Sequence, residues 1–292
     1  MRNIECKITK CIVCRSDQVK LVVSSLELTL FRCLNCHMVY KTNLSPNTIV
    51  DSIKQTYNSY SEEEYYKMDV SRGKIFTKYL KKISKIVDGN RLLDIGCGDG
   101  FFMEIASYYG FNVTGVEISD KPIDIAKKIR PNISQKIYKK TLKEASFPDN
   151  YFDIITLWDV FYYFEAPCDE IQEIYRILKK GGLIVIKIKN ASVHLFLYKF
   201  KKIFGLIIRK PYIFFPFNYT PKTIKILLTE FNFKEIMIYN SPLTKGDPYN
   251  QAKKEIILLL FKYCYYVLAE ILWYISFGKL KISPSLIIIA RK

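Results

Sequence analysis

The fold of this chain is decided by the stretch Leu92-Leu93-Asp94-Ile95-Gly96-Cys97-Gly98-Asp99-Gly100. The stretch begins as an apolar run that ends in an acid, turns through Gly at every second position, and continues into a helical pattern from Phe101. The three glycines permit positive φ and a close approach of the backbone to a ligand, and the first N–H groups of the new helix face that ligand. The sequence therefore predicts a strand, a glycine loop and a helix that hold a small cofactor.

A second acid strengthens this interpretation. Glu117 ends the apolar strand predicted over residues 111–116, about 20 residues after the loop, where a doubly wound fold places a carboxylate on ribose hydroxyls. The glycines lack the spacing of the dinucleotide pattern G-x-G-x-x-G, and no Gly-Lys-Ser/Thr closes a phosphate loop. A dinucleotide site and an ATP site are therefore disfavoured.

Two further motifs follow at residues 147–155 and 174–186. In order and spacing, the four motifs resemble class I S-adenosylmethionine-dependent methyltransferases, over residues 90–190 and more loosely to the end of the chain. The resemblance implies an α/β fold with a Rossmann-like, seven-stranded methyltransferase sheet, whose last strand is antiparallel and lies beside the fifth. Strands expected near residues 113–117, 136–138, 154–157, 183–189, 233–239 and 285–290 alternate with amphipathic helices, which fits a sheet covered on both faces.

The resemblance also implies the residues that contact S-adenosylmethionine. In this family Asp94 and the glycines flank the methionine part of the cofactor, and Glu117 holds the ribose. Thr141 and Leu142 fall where relatives meet the adenine, although many relatives carry an acid there. The candidate cofactor-binding residues are Asp94, Gly96, Cys97, Gly98, Gly100, Glu117, Ile118, Thr141, Leu142 and Trp158.

Four cysteines form a separate motif. Cys11-x-x-Cys14 and Cys33-x-x-Cys36 are two knuckles with eighteen residues between them, a separation suited to tetrahedral Zn²⁺. The alternatives are unligated thiols or a redox Cys-x-x-Cys, and Cys6 or His37 lies close enough to replace a ligand. Residues 19–30 supply the strands of a ribbon. Because protein would fill all four positions, the predicted zinc is structural.

These motifs divide the chain into three parts. Residues 1–42 form the zinc ribbon, residues 43–90 a helical linker or cap over the cofactor, and residues 91–292 the methyltransferase domain. The linker carries a capping box at residues 61–64 and a helix over residues 71–87. A helical insertion is expected at about residues 251–278.

Two residues are candidates for the general base. Relatives place a His in the segment after the fourth strand, and Tyr163 stands at that position here. A Tyr is a poor base, since its ordinary pKa is about 10, so walling the acceptor pocket is the competing role. His194 follows the fifth strand in a predicted loop and is the other candidate, with a surface residue as the alternative. No Asn-Pro-Pro-Tyr motif is present, which disfavours N-methylation of the kind that motif serves.

The chain is basic, with 45 Lys+Arg against 28 Asp+Glu and a net charge of +17. This charge suits nucleic acid, an anionic membrane surface or an acidic substrate, and compositional bias explains it equally well. Residues 195–217 interleave basic and aromatic side chains, and a long apolar helix over residues 252–277 is interrupted by Lys262 and Glu270. That helix is expected in the core or at a subunit interface, with peripheral contact to an anionic membrane as the alternative.

The N-terminus has no continuous apolar region, so a cytoplasmic protein is expected, at the inner face of the membrane if the apolar face binds there. The chain has a zinc ribbon first, a methyltransferase fold second and an apolar C-terminal cap last. This order of parts resembles that of bacterial enzymes that act on sugars and in surface-polysaccharide synthesis. The predicted activity is O-methylation of a sugar hydroxyl on a nucleotide-sugar or surface-glycan precursor, with this small-molecule or glycan acceptor as the partner. The alternative is an RNA methyltransferase whose zinc module binds RNA, although the basic residues are dispersed rather than set in one stripe.

Overall fold

The computed structural model describes residues 10–25, 28–41, 61–205, 212–242 and 255–292. Cys6 and residues 43–60 of the predicted linker lie outside these residues. The strands are β1 (Val19–Ser24), β2 (Thr29–Cys33), β3 (Val39–Lys41), β4 (Arg91–Ile95), β5 (Asn112–Val116), β6 (Ile137–Tyr138), β7 (Phe152–Trp158), β8 (Leu178–Lys189), β9 (Phe217–Asn218), β10 (Lys234–Asn240) and β11 (Ser285–Arg291). The helices are α1 (Glu62–Ile83), α2 (Phe101–Tyr108), α3 (Asp120–Ile129), α4 (Pro131–Ser134), α5 (Leu142–Ala145), α6 (Pro167–Ile177), α7 (Ala191–Lys199), α8 (Lys201–Phe204), α9 (Pro221–Glu230) and α10 (Glu255–Ile275).

The main sheet confirms the predicted methyltransferase topology. Among the described residues, seven strands pair in the order β10-β11-β8-β7-β4-β5-β6. The strands β8, β7, β4, β5 and β6 are mutually parallel, whereas β11 runs antiparallel to both β8 and β10. The last strand of the chain therefore lies between the fifth and the sixth strands of this sheet.

Helices cover both faces of the sheet, because its central strands are apolar on both sides. On one face, Ile184, Ile186 and Ile188 of β8 belong to a core that includes buried side chains of α6 and α9. On the other face, Leu183 and Val185 belong to a core shared with α1 and α2. The second face carries the cofactor loop, so α1 lies on the same side of the sheet as that loop.

Helix α1 differs from its prediction. The capping box at residues 61–64 and the helix over residues 71–87 were predicted as separate features, and the structure has one continuous helix instead. It begins at Glu62, ends at Ile83, and runs through Gly73 without a break. A Cβ atom at Gly73 would lie 3.5 Å from the ring of Phe101, an ordinary contact distance, so α1 packs directly against the first residue of α2. Residues 84–86, predicted as helix, form turns, and residue 87 has no regular structure; Ile86 and Val87 pack against the same core.

The N-terminal ribbon is joined to the methyltransferase fold by a shared sheet. Its order is β1-β2-β3-β9, so the fourth strand comes from the segment that follows β8. The N–H of Lys41 donates to the carbonyl of Pro216 at 3.0 Å, and Asn218 Nδ2 donates to the carbonyl of Val39 at 3.3 Å. Cys33 and Cys36 belong to the same core as Leu157 of β7. The predicted ribbon therefore does not fold apart from the main sheet.

The C-terminal third contributes helix α7, which packs with the ribbon strands, and helix α10, which lies against the edge strand β10 of the main sheet. Helix α7 begins where a loop was predicted, because the side chain of Asn190 caps it by accepting from the N–H of Ser192 at 3.2 Å. Helix α10 is held to β10 by two hydrogen bonds, from Asn240 Nδ2 to the carbonyl of Ala269 at 2.9 Å and from Trp273 Nε1 to a β10 carbonyl. In the part of the chain that the structure describes, no helix has both the length and the apolarity needed to span a bilayer.

Candidate active site

The glycine loop joins β4 to α2 through three residues with positive φ. Gly96, Gly98 and Gly100 have φ of +69°, +58° and +78°. A Cβ atom at Gly96 would lie 2.7 Å from Val160, and one at Gly100 would lie 2.6 Å from Ile133, so both positions are closed by packing. A Cβ atom at Gly98 would meet no heavy atom within 4 Å. Gly98 therefore borders open space, where the backbone can approach a cofactor.

Asp94 lies at the end of β4, buried to 2% exposure. Burial raises the pKa of Asp94 to about 8, although Thr156 Oγ1 opposes this by donating a hydrogen bond of 2.6 Å to its carboxyl group. A cationic neighbour would lower the pKa of this carboxyl group, because an opposite charge favours its ionised form. The ammonium and sulfonium groups of the methionine part of S-adenosylmethionine would supply that charge.

Glu117 follows β5, the strand that pairs with β4. Its carboxylate accepts from the N–H groups of Gly98, Ile118 and Ser119 at 3.0, 2.8 and 2.8 Å. Burial raises the pKa of Glu117, while these backbone donors oppose the rise. The hydrogen bond to Gly98 places Glu117 directly beside the open side of the loop, where the resemblance expects the ribose.

A buried ion pair that was not predicted from the sequence connects Asp99 of the glycine loop to Arg130. Arg130 Nη1 lies 2.7 Å from Asp99 Oδ2, and both side chains are at most 9% exposed. Arg130 Nε also contacts Glu104 of α2 at 2.9 Å. Since Arg130 follows α3, the pair links the start of α2 to the end of α3. The acid within the loop was visible in the sequence, but its partner lies 31 residues away.

The other predicted cofactor residues have structural contacts in this fold. A Cβ atom at Gly115 would lie 2.6 Å from Cys97 Sγ, so the Cys97 side chain fills the space beside β5. Thr141 caps α5: its hydroxyl accepts from the N–H of Glu144 at 3.3 Å and donates to the Glu144 carboxylate at 2.8 Å. Leu142 is buried in the core. Contact of Ile118, Thr141 and Leu142 with the cofactor stays a prediction.

Trp158, the last residue of β7, lies between the loop side of the sheet and α1. Its ring centroid is 4.9 Å from that of Phe76 in α1 and 5.1 Å from that of Phe102 in α2. Its Nε1 is buried and has no hydrogen-bond acceptor within the described part of the chain. Trp158 therefore offers an unused donor at the edge where parallel strands end, which is where ligands bind in such sheets.

The next residue, Asp159, was not selected from the sequence. Asp159 forms an ion pair with Lys187 of β8, and both side chains are at most 13% exposed. Lys187 could have indicated this ion pair from the sequence, because a lysine within the apolar run of a strand buried on both faces requires an acidic partner.

The two residues predicted as general bases have different surroundings. The ring of Tyr163 is half-buried, and its centroid lies 5.3 Å from that of Phe215. That this segment lines an acceptor pocket stays a prediction. His194 is buried in α7, where Nδ1 accepts from the N–H of Ile213 and Nε2 donates to the carbonyl of Pro284, both at 3.2 Å. These bonds commit both ring nitrogens to the backbone. The geometry gives His194 a structural role and lends no support to the predicted catalytic one.

The four ribbon cysteines converge on one point. The Sγ atoms of Cys11, Cys14, Cys33 and Cys36 all lie within 4.8 Å of one another, and two pairs are 3.5 Å apart. Tetrahedral Zn²⁺ with bonds of about 2.3 Å holds its sulfur ligands about 3.8 Å apart, so the four thiols fit this ion. Within the described ranges, no other group of Cys, His, Asp or Glu is arranged in this way.

The strand order, the glycine loop open at Gly98 and the two carboxylates beside it define a class I S-adenosylmethionine-dependent methyltransferase. Comparison with protein families agrees. The chain belongs to the family described as Methyltransferase domain, whose model matches residues 68–236. The predicted enzyme class, with S-adenosylmethionine as its cofactor, is therefore confirmed, whereas zinc stays a prediction.

Curated relatives match the chain in part. A ubiquinone biosynthesis O-methyltransferase of Nitrosomonas europaea is 30% identical over 125 residues, which cover 41% of this chain and 53% of the relative. A 2-methyl-6-phytyl-1,4-hydroquinone methyltransferase of Synechocystis is 35% identical over 102 residues, or 34% of this chain and 31% of the relative. The chain thus spans between about a third and two thirds of the length of curated relatives such as these, 31% to 65%.

Solved structures share the fold at low identity. A phosphoethanolamine N-methyltransferase of Haemonchus contortus, solved with S-adenosylhomocysteine, has a TM-score of 0.54 and 18% identity, over 87% of this chain and 61% of that chain. The magnesium protoporphyrin IX methyltransferase of Synechocystis, solved with SAH, has a TM-score of 0.52 and 14% identity, over 84% of this chain and 99% of that chain. These likenesses establish the fold alone.

Proposed function

We propose that this enzyme transfers a methyl group from S-adenosylmethionine to a hydroxyl of a sugar, on a nucleotide-sugar or surface-glycan precursor. The observation that carries the proposal is the largely buried carboxylate of Asp159, directly after β7 at the edge where the parallel strands end. This group can accept a hydrogen bond from a hydroxyl. The names of the relatives support O-methylation as a reaction class. The ribbon ahead of the methyltransferase fold supports the sugar, because that order resembles bacterial sugar-modifying enzymes.

The residues of this chain have modest chemical tasks in such a reaction. Bound S-adenosylmethionine supplies an activated methyl group on its sulfonium. Asp94 and Glu117 would hold the two ends of the cofactor, with the open face of Gly98 between them. Trp158 and the aromatic wall around Tyr163 would exclude water and fix the acceptor, so that positioning provides much of the rate.

A second candidate acceptor is the phenolic hydroxyl of a quinone precursor. The curated relatives quoted above are named for ubiquinone and hydroquinone acceptors. Their matches cover less than half of this chain, so more than half of it, including residues outside the shared core, has no counterpart in those alignments. We rank this acceptor second for that reason.

We also propose that the four ribbon cysteines hold a structural Zn²⁺. The support is the sulfur spacing, and protein ligands would occupy every position around the ion. The site is tied to the acceptor side of the fold: Thr223 Oγ1 of α9 donates to the carbonyl of Cys36 at 2.8 Å. Zinc would therefore stabilise the ribbon and the segment after β8 together.

The enzyme would meet its acceptor at an anionic membrane surface. The support is a set of exposed apolar side chains on α10 and the turn after it. These are Tyr263, Val267, Leu268, Ile271, Tyr274, Ile275 and Phe277. Lys279 and Lys281 follow in the chain, and the net charge of +17 complements anionic lipid.

The test is transfer of label from methyl-tritiated S-adenosylmethionine into an extract of the host, separated into nucleotide-sugar, membrane-lipid and RNA fractions. Label in the nucleotide-sugar fraction, or in a lipid that releases a methylated sugar on acid hydrolysis, supports the proposal. Label in a quinone supports the second candidate. Label in RNA would overturn both and would make the net charge a substrate-binding feature.

A further inference from the structure

Asp159 has a backbone conformation that L residues rarely adopt. Its φ is +59°, in the left-handed region, at the position where β7 ends. Its N–H donates to the carbonyl of Lys187 at 3.1 Å, so the turn is fixed to the neighbouring strand β8. Strained backbone of this kind persists only where the surrounding structure imposes it, and it is concentrated at functional sites. The conformation points to Asp159 as a functional residue.

Among the described residues, only one oxygen of the Asp159 carboxylate accepts a hydrogen bond, and the other has a longer ion-pair contact with Lys189. Oδ2 accepts from Lys187 Nζ, which is itself buried. Oδ1 is buried and, among the described residues, receives no hydrogen bond, since the Nζ of Lys189 lies 3.8 Å away. A buried acceptor without a donor is costly and needs an explanation. A ligand that donates a hydrogen bond to Oδ1 would provide one.

The location of this oxygen favours the acceptor over the cofactor as that ligand. The cofactor loop and Glu117 follow β4 and β5, whereas the ion pair draws Asp159 toward β8. Neighbouring strands are about 4.8 Å apart, so β8 lies about 10 Å from β4 across β7. The Asp159 carboxylate is thus displaced from the cofactor strands in the direction of the aromatic wall.

The charges around Asp159 select the kind of donor. Burial alone would raise the pKa of Asp159, but Lys187, Lys189 and Arg72 outweigh burial and hold the pKa below its ordinary value, so the group stays ionised. The same cations repel an ammonium group. A neutral hydroxyl is not repelled by these cations, and it can donate a hydrogen bond to the carboxylate.

We propose that Asp159 Oδ1 accepts a hydrogen bond from the hydroxyl that is methylated, and that Lys187 positions this carboxylate. As the new O–CH₃ bond forms, the S–CH₃ bond breaks and its electron pair passes to sulfur. The hydroxyl proton moves to Asp159 Oδ1 and is then released to water. A weak base suffices here, because an oxygen that is gaining a methyl group becomes a much stronger acid than a carboxylic acid. This inference rests on the proposed transfer to a hydroxyl.

The test compares Asp159→Asn with Asp153→Asn, because both residues are largely buried aspartates that pair with a lysine, Asp153 within β7 and Asp159 directly after it. Asp153 lies at the opposite end of the strand, where it contacts Lys179 at 2.6 Å. Tritium transfer to the fraction that the unmodified enzyme labels gives kcat, calorimetry gives the Kd for S-adenosylmethionine, and mass spectrometry identifies the methylated atom. The D159N variant is expected to lose about 100-fold or more in kcat, with Kd changed by less than about twofold. The D153N variant is expected to keep both values.

A second variant tests whether the loss of kcat comes from misfolding. D159N leaves Lys187 buried without its partner, so D159N combined with Lys187→Met removes both charges together. The double variant is expected to fold and to show the same loss of kcat. Transfer by D159N within threefold of the unmodified enzyme, a parallel loss of cofactor affinity, or methylation of nitrogen or carbon would overturn the inference. The labelled fraction decides the acceptor class separately, so transfer to ribose hydroxyls of RNA would refute the glycan proposal and still support Asp159.

Discussion

Gly98 and Gly110 have the same kind of backbone conformation and differ in what they face. Their φ values are +58° and +85°, and a Cβ atom at either position would meet nothing within 4 Å. Gly98 borders the cofactor space beside Glu117, whereas Gly110 lies in the turn after α2. The two glycines therefore form a matched pair for testing the cofactor site.

We expect Gly98→Val to weaken binding of S-adenosylmethionine at least tenfold, because the new side chain would occupy the space of the ligand. Gly110→Val should leave binding unchanged. Both variants should lose a similar stability of about 1–3 kcal/mol, from placing an L residue in the left-handed region. Calorimetry and thermal unfolding measure the two effects. Equal loss of binding in both variants would contradict the site.

Lys187 offers a prediction on pH dependence. Lys187 lowers the pKa of Asp159, while burial acts to raise it, so removing the lysine should raise that pKa. Asp159 must be ionised to accept the hydroxyl, and activity is therefore lost as the pH falls through its pKa. In Lys187→Met the acid limb of kcat/KM should move upward by about 1 pH unit or more, whereas Lys187→Arg should keep the original profile. Identical limbs in both variants would contradict this role.

The residues that were predictable are those whose signal is local. Gly96, Gly98 and Glu117 lie within about 20 residues of one another, and their spacing carries the chemistry. Asp159 and Lys187 come together only because β7 pairs with β8, and Arg130 reaches Asp99 only after the chain has passed through α2, β5 and α3. No spacing rule covers such contacts, although a lysine within an apolar strand did mark one of them.

Among the elements, the ribbon provides the prediction that depends most on the metal. We expect about one Zn²⁺ per chain, and Cys33→Ser should abolish it and lower Tm by about 8 °C or more, since losing a structural metal is among the most destabilising single changes. Cys264→Ser is the control, because Cys264 is exposed on α10. Elemental analysis and thermal unfolding test both variants. Zinc retained in Cys33→Ser, or absent from the unmodified protein, would refute the site.

Long periodic elements were predictable, and short or capped ones were not. The apolar runs of β4, β7 and β11 and the amphipathic α9 appear near their predicted positions. Strand β9 is two residues long, so it carries no periodicity that could reveal its pairing with β3. The start of α7 was missed because its signal is a single cap, Asn190, within a segment otherwise typical of a loop.

At the scale of the molecule, the apolar face of α10 and the net charge predict binding to membranes. Ile275 is 70% exposed and Tyr108, on α2, is 88% exposed. We expect Ile275→Glu to reduce cosedimentation with vesicles of anionic phospholipid severalfold, because a carboxylate there loses apolar area and is repelled by the lipid. Tyr108→Glu controls for the added charge. Binding that is independent of salt, or reduced equally in both variants, would argue against this surface.

The shared sheet of ribbon and methyltransferase has a consequence during synthesis. Strands β1, β2 and β3 leave the ribosome early, but the chain runs through residues 42–216 before β9 is made. At about 5–20 residues per second this interval lasts roughly 9 to 35 s, during which the open edge of β3 waits for its partner. The nascent ribbon stays incomplete during that delay, so the step that fixes it in place coincides with the translation of Phe215, the residue that Tyr163 packs against.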